Sequence, residues 1–77
     1  MENAADLLFV TGRHIAKLRQ KCGYTLAELA AKASIGEETL QAIEDGRAIA
    51  FDIDHLAEIA GALEVEAWVL VKDPADR

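Results

Sequence analysis

TLAELAAKASIGEETLQAIED, residues 25–45, is the stretch whose reading decides the fold. Leu26, Leu29, Ala30 and Ala33 repeat at helical spacing, the pattern halts at Ser34-Ile35-Gly36, and it resumes with Leu40 and Ile43. The spacing predicts two short helices joined by a tight turn. Thr25 with Glu28 three residues on forms a capping box, in which each side chain meets the other's backbone N–H, so the first helix starts at Leu26. Ser34 and Gly36 leave helical geometry at low cost, and Ile35 between them is the apolar plug of the turn. The second helix starts at Glu37. Glu37 and Glu38 lie in its first turn, where free N–H groups and the positive dipole end favour carboxylates. Asp45-Gly46 closes it, with Gly46 the left-handed residue past the end. The unit is a helix-turn-helix.

Working outward, Ile15, Leu18 and Cys22 share one face of a preceding helix and Arg13, Lys17, Gln20 and Lys21 the other; it runs from Arg13 to Gly23. Upstream, Leu7-Leu8-Phe9-Val10 fits either the first turns of a long helix or a short strand. Downstream of a loop over 46–51 that carries Arg47, Asp52 reads as the N-cap of a helix from Ile53 to Leu63, with Ile53, Leu56, Ala60 and Leu63 as its core stripe. Gly61 weakens that helix by about 1 kcal/mol relative to Ala, which suggests a close helix contact. Residues 67–72, with Trp68-Val69-Leu70-Val71, permit strand or helix. Residues 73–77 are a tail. The expected architecture is all-α: one compact domain over residues 1–77, of four or five helices, with short strands at the two ends as an option.

At 77 residues and 52% apolar composition the chain can build one small core without staples or metal. Its one cysteine, Cys22, excludes an intrachain disulfide and reads as a small semi-buried residue. No apolar run approaches the ~18 residues that span a membrane, and no leader opens the chain, so a cytoplasmic protein is expected. The net charge of −6 argues against a general nucleic-acid coat, whose affinity comes from Lys and Arg on phosphates. Charge is unevenly placed. Residues 1–32 hold five bases against three acids, whereas residues 33–77 hold three bases against eleven acids. His14 and His55 are far apart and one cysteine offers no partner at zinc spacing, so neither metal nor cofactor is expected. A phosphate loop and a nucleophile with a base are both missing, which excludes an enzyme at this level of reading.

Ile15-x-x-Leu18-Arg19, Thr25-Leu26-x-x-Leu29-Ala30, Ala33-x-Ile35-Gly36, Leu40-x-x-Ile43-Glu44-x-Gly46 and Leu56-x-x-Ile59-Ala60-x-x-Leu63-x-Val65, at these separations, resemble the DNA-binding domain of the lambda-repressor and Cro family, over about residues 12–70. The resemblance implies an ion pair between Arg19 and Glu44 that ties the first helix to the third and is structural. It implies that residues 37–45 form the recognition helix and enter the major groove of double-stranded DNA. Base-reading positions fall on Glu37, Glu38 and Ala42, with Gln41 beside them. Phosphate-positioning groups fall on Thr25, Leu26, Gly36 through its backbone, and Arg47.

Here the chain departs from the family pattern. Leu26 stands where a glutamine commonly braces a phosphate, and two carboxylates stand where Gln, Arg, Lys or Ser reach bases. Glutamate can accept from the cytosine amine, a contact that contributes about 1–3 kcal/mol of discrimination. Phosphate repulsion opposes it. The plainer account of Glu37 and Glu38 is dipole stabilisation on a solvated face. Leu7, Val10, Trp68 and Leu70 either complete the monomer core or form a homodimer interface, with Trp68 the best anchor. The expected function is a sequence-specific transcriptional regulator of bacterial or phage type, acting as a homodimer. The alternative is a protein-interaction module whose acidic face binds a basic protein.

Overall fold

The computed structural model describes residues 4–47 and 53–71, with side chains from residue 9 onward. Its helices are α1 (Ala4–Lys21), α2 (Leu26–Ala33), α3 (Glu37–Glu44), α4 (Ile53–Leu63) and α5 (Ala67–Val71). No strand occurs among the described residues. The fold is all-α, as the sequence implies, but the strand options at both ends are corrected. Residues 7–10 continue α1, which begins at Ala4 rather than Arg13. Residues 67–71 are helical despite their β-branched content, because Leu70 is driven into the core between α1 and α4 and packing outweighs local preference. The expected Asp52 cap and the tail lie outside the described residues.

Each chain reversal has a local cause. Gly23, at φ +80°, ends the turn after α1, where the Tyr24 N–H reaches the Arg19 carbonyl at 3.1 Å. At the start of α2 the Glu28 N–H donates to Thr25 Oγ1 at 3.0 Å and the Thr25 N–H donates to Glu28 Oε1 at 2.8 Å, completing the capping box. Ser34 takes the left-handed conformation, φ 61°, so that the Ile35 N–H can close on the Ala30 carbonyl at 3.0 Å. Glu64 does the same for α4, with Val65 N–H on the Ala60 carbonyl at 3.0 Å.

Ile15, Leu29, Leu40, Ile59 and Leu70 are fully buried, one from each helix, and Ala30, Ala33, Ile43, Ala60 and Leu63 fill the space around them. α2 lies against α3 and α4, while α1 runs across α3 and α5. His14 joins the last of these: since a carbonyl only accepts, its Nδ1 donates to the Leu70 oxygen at 2.7 Å. Its Nε2 is buried without a hydrogen-bond partner.

Three further expectations are corrected. Ile53 is 75% exposed rather than part of the core stripe, because it opens α4 before that helix meets its neighbours. Cys22 is exposed, since it falls in the turn just past α1. Gly61 marks no close contact, for a Cβ built there meets nothing within 4 Å. The close approach occurs at Gly12, where a Cβ would strike the carbonyl oxygen of Ile43 and come within 2.8 Å of that of Glu44. Gly12 thus lets α1 cross directly over the last turn of α3. Among the described residues no helix is long and apolar enough to cross a membrane.

Candidate nucleic-acid interface

The helix that the sequence reading assigns to DNA is held from behind by one ion pair. Arg19, at the end of α1, donates from Nε to Glu44 Oε2 at 2.7 Å and from Nη2 to Glu44 Oε1 at 3.1 Å. Its Nη1 donates to the Tyr24 carbonyl at 3.0 Å. One guanidinium therefore fixes α1, the α1–α2 turn and the end of α3. The side chains of Arg19 and Glu44 are only 16% and 6% exposed, so the fork works with little screening. The Glu44 hydrogen bond, reinforced by that carboxylate's charge and opposed by desolvation, pushes the Arg19 pKa above its already high ordinary value.

With Leu40, Ile43 and Glu44 buried, the opposite side of α3 faces solvent. Glu37, Glu38, Thr39 and Gln41 are exposed and Ala42 is half-buried. Gly36 is the N-cap, in extended geometry at φ −73° and ψ 150°, with no side-chain cap bond. The first-turn N–H groups thus have no capping side chain over them, which suits a phosphate oxygen. Thr25 is exposed; its backbone N–H is spent on Glu28, and its hydroxyl, which accepts from Glu28, still has a hydrogen to donate. Leu26 is half-buried against the core and offers no polar group. Lys32 is drawn toward the α1–α2 turn, its Nζ 5.4 Å from the Tyr24 ring centroid.

Arg47 and Gln41 are brought together by Asp45, which the sequence marks only as the close of α3. Asp45 accepts from Gln41 Nε2 at 3.0 Å through Oδ1, and from Arg47 Nη2 at 3.1 Å and Nε at 3.3 Å through Oδ2. The Gln41 bond first, then those from Arg47, hold the Asp45 carboxyl below the usual carboxylate range. A signal was available, since Gln41 and Asp45 are four apart on a helix. At the chain ends, Trp68 is 58% exposed and Val10 half-buried. Leu70 is removed from the expected dimer interface by its complete burial in the monomer core. The Leu7 side chain lies outside the described part.

A family model for the helix-turn-helix matches residues 15–67, most of the chain and all of the unit just described. The chain belongs to the helix-turn-helix family of lambda-repressor and Cro type. Among solved structures, a chain of a complex of SinR protein with SinI protein is 31% identical with a TM-score of 0.77, over 80% of this chain and 60% of that one. This chain therefore spans less than two thirds of that relative. SinR, described as the master regulator for biofilm formation and solved with DNA, is 31% identical with a TM-score of 0.76, over 80% of this chain and 98% of that one. A hypothetical transcription factor, NHTF from Neisseria, superposes over all of this chain and 87% of its own with a TM-score of 0.88 at 25% identity. No curated protein matches the sequence. Membership carries the coarse function, that of a DNA-binding protein of transcription regulation.

Proposed function

We propose that this helix-turn-helix protein is a sequence-specific regulator of bacterial or phage type, working by binding rather than catalysis, that lays residues 37–45 in the major groove as a homodimer. The observation that carries the reading is the Arg19–Glu44 fork, which holds α3 with Glu37, Glu38 and Gln41 outward and an uncapped N-terminus. The likeness to SinR in its DNA complex supports it. In this pose the Gly36–Glu38 backbone and the Thr25 hydroxyl meet phosphates, Glu37 and Glu38 accept from cytosine amines, and Ala42 meets a thymine methyl.

Electrostatics make the monomer a weak binder. Two carboxylates enter a groove walled by phosphates, and Arg47, the phosphate-positioning cation past the far end of α3, is already engaged by Asp45. Pairing two such units on half-sites one helical turn apart compensates, since the second contact becomes intramolecular. Trp68, 58% exposed on α5, is the proposed anchor of that dimer, with Leu7 and Val10 of α1 as further candidates. Replacing Trp68 by Ala then shifts the sedimenting species toward monomer, and an unchanged dimer removes Trp68 from the role.

The alternative reading, a module that binds a basic protein, is favoured by the three acids Glu37, Glu38 and Asp45 on or next to one helix. Selection from a random-sequence duplex library at low and physiological salt separates the two. A two-fold-symmetric site that survives physiological salt is expected. If a folded sample retains no duplex even at low salt, the protein-interaction module replaces the regulator.

A further inference from the structure

Two of the polar side chains that α3 and its closing turn can offer to DNA, Gln41 and Arg47, are both occupied by the same carboxylate. Each oxygen of Asp45 serves one of them: Oδ1 takes the amide hydrogen of Gln41, and Oδ2 takes Nη2 and Nε of Arg47. Arg47 thus spends its Nε–Nη2 edge, the edge with which a guanidinium can meet a phosphate, on a single carboxylate oxygen. The i, i+4 bond from Gln41 supports the helix end only modestly, by about 0.2–0.5 kcal/mol, and the place is otherwise unfavourable for an acid. Asp45 is the C-cap of α3, where the dipole is negative, and no base lies in the last helical turn to offset it.

From this arrangement we infer that Asp45 is an internal competitor of DNA: it holds Arg47 and Gln41 in the free protein, and duplex binding replaces Asp45 by a backbone phosphate on Arg47. The inference rests on the DNA-binding reading above and adds to it a residue that sets affinity and salt dependence. The clamp is built for exchange, because the Arg47 and Asp45 side chains are 63% and 42% exposed and an ion pair in that much water is easily opened. Two consequences follow for the bound state. Opening the clamp leaves a carboxylate near the phosphate that took its place. It also frees the Gln41 amide, whose carbonyl and NH2 together can pair with adenine.

The test is Asp45→Asn, which keeps the shape and an acceptor for Gln41 but removes the charge. Binding is measured on a fluorescein-labelled duplex of random sequence across a salt series, with Arg47→Ala and the double variant alongside. Random sequence is the right probe because phosphate contacts are sequence-independent. Asp45→Asn is expected to tighten binding roughly three- to tenfold at low salt and to steepen the salt slope by about one unit, since the turn then carries a net positive charge. Most of that gain disappears in the Arg47→Ala background. An Asp45→Asn variant no tighter than wild type, or one whose gain is the same without Arg47, overturns the inference while leaving DNA binding intact. Failure of all four proteins to bind duplex at low salt overturns it together with the DNA-binding reading.

Discussion

Replacing Gly12 and Gly61 by alanine makes the same chemical change in two helices and is expected to move stability in opposite directions. Alanine in a helix interior is worth about 0.5–1 kcal/mol over glycine at either site. At Gly61 nothing opposes that gain, because a Cβ there meets no atom within 4 Å. At Gly12 the new carbon would strike the Ile43 carbonyl oxygen and lie 2.8 Å from the Glu44 oxygen and 3.1 Å from the Glu44 carbonyl carbon. These are backbone atoms that no rotamer change can withdraw, so the last turn of α3 must move away from α1. Overpacking of this kind costs about 1–3 kcal/mol and sometimes more. The movement also strains the Arg19–Glu44 fork, which is rooted in the same turn. Contacts this close to backbone put the overpacking cost at the upper end of that range, about 3 kcal/mol, and subtracting the alanine gain leaves a net loss of about 2 kcal/mol, which at roughly 4–8 °C per kcal/mol lowers Tm by about 8–16 °C. Gly61→Ala raises Tm by about 2–8 °C on the same scale. Urea and thermal unfolding followed by circular dichroism measure both, each variant serving as the other's control. A Gly12→Ala protein as stable as wild type would refute the close crossing of α1 over α3.

Arg19→Ala leaves Glu44 largely buried without its partner and is expected to destabilise the fold by about 3–5 kcal/mol, while Arg19→Ala with Glu44→Gln recovers part of that loss in a double-mutant cycle; strictly additive losses in urea melts would show that the pair is not coupled. Thr25→Ala removes the capping box of α2 and is expected to cost about 1 kcal/mol, with a local rise in amide exchange at Glu28; unchanged exchange there would refute the cap. Because the folded Asp45 carboxyl has a lowered pKa, its contribution is present above the unfolded carboxyl value and is lost as pH falls through the folded one. The Gln41 side-chain amide signal is therefore expected to hold steady from neutral pH to below about pH 4 and to shift only under stronger acid, and to show no such step in Asp45→Asn. A step at the ordinary carboxyl pKa would mean that the clamp is not formed in solution.

The residues that announce the fold are those whose reasons are local. Thr25 and Glu28 specify the start of α2 because a capping box needs only four consecutive residues, and Gly23 and Gly46 specify turns because a positive φ is a property of one position. Helical spacing places Leu29, Leu40 and Leu63 inside for the same reason. The Arg19–Glu44 pair, 25 residues apart on α1 and α3, is implied by family resemblance rather than by spacing, and the 2.7 Å contact gives it physical form.

What only the tertiary structure decided is everything that depends on which surfaces meet. Gly12 and Gly61 look alike in sequence, and Gly61 was the one that suggested a contact; the crossing of α1 over α3 falls at Gly12 because helix packing brings a backbone carbonyl there. The valine-rich residues 67–71 permit a strand, yet burial of Leu70 between α1 and α4 makes them a helix. Asp45 and Gln41 are an ordinary helical pair on paper. It is the chain turning at Gly46 that swings Arg47 back onto the same carboxylate and joins the two groups suited to DNA into one clamp. Local signals determined the helix-turn-helix of this protein, whereas the meeting of helix faces determined α5 and which charges remain available, because hydrogen bonds and sterics act at contact distance however far apart the residues lie in sequence.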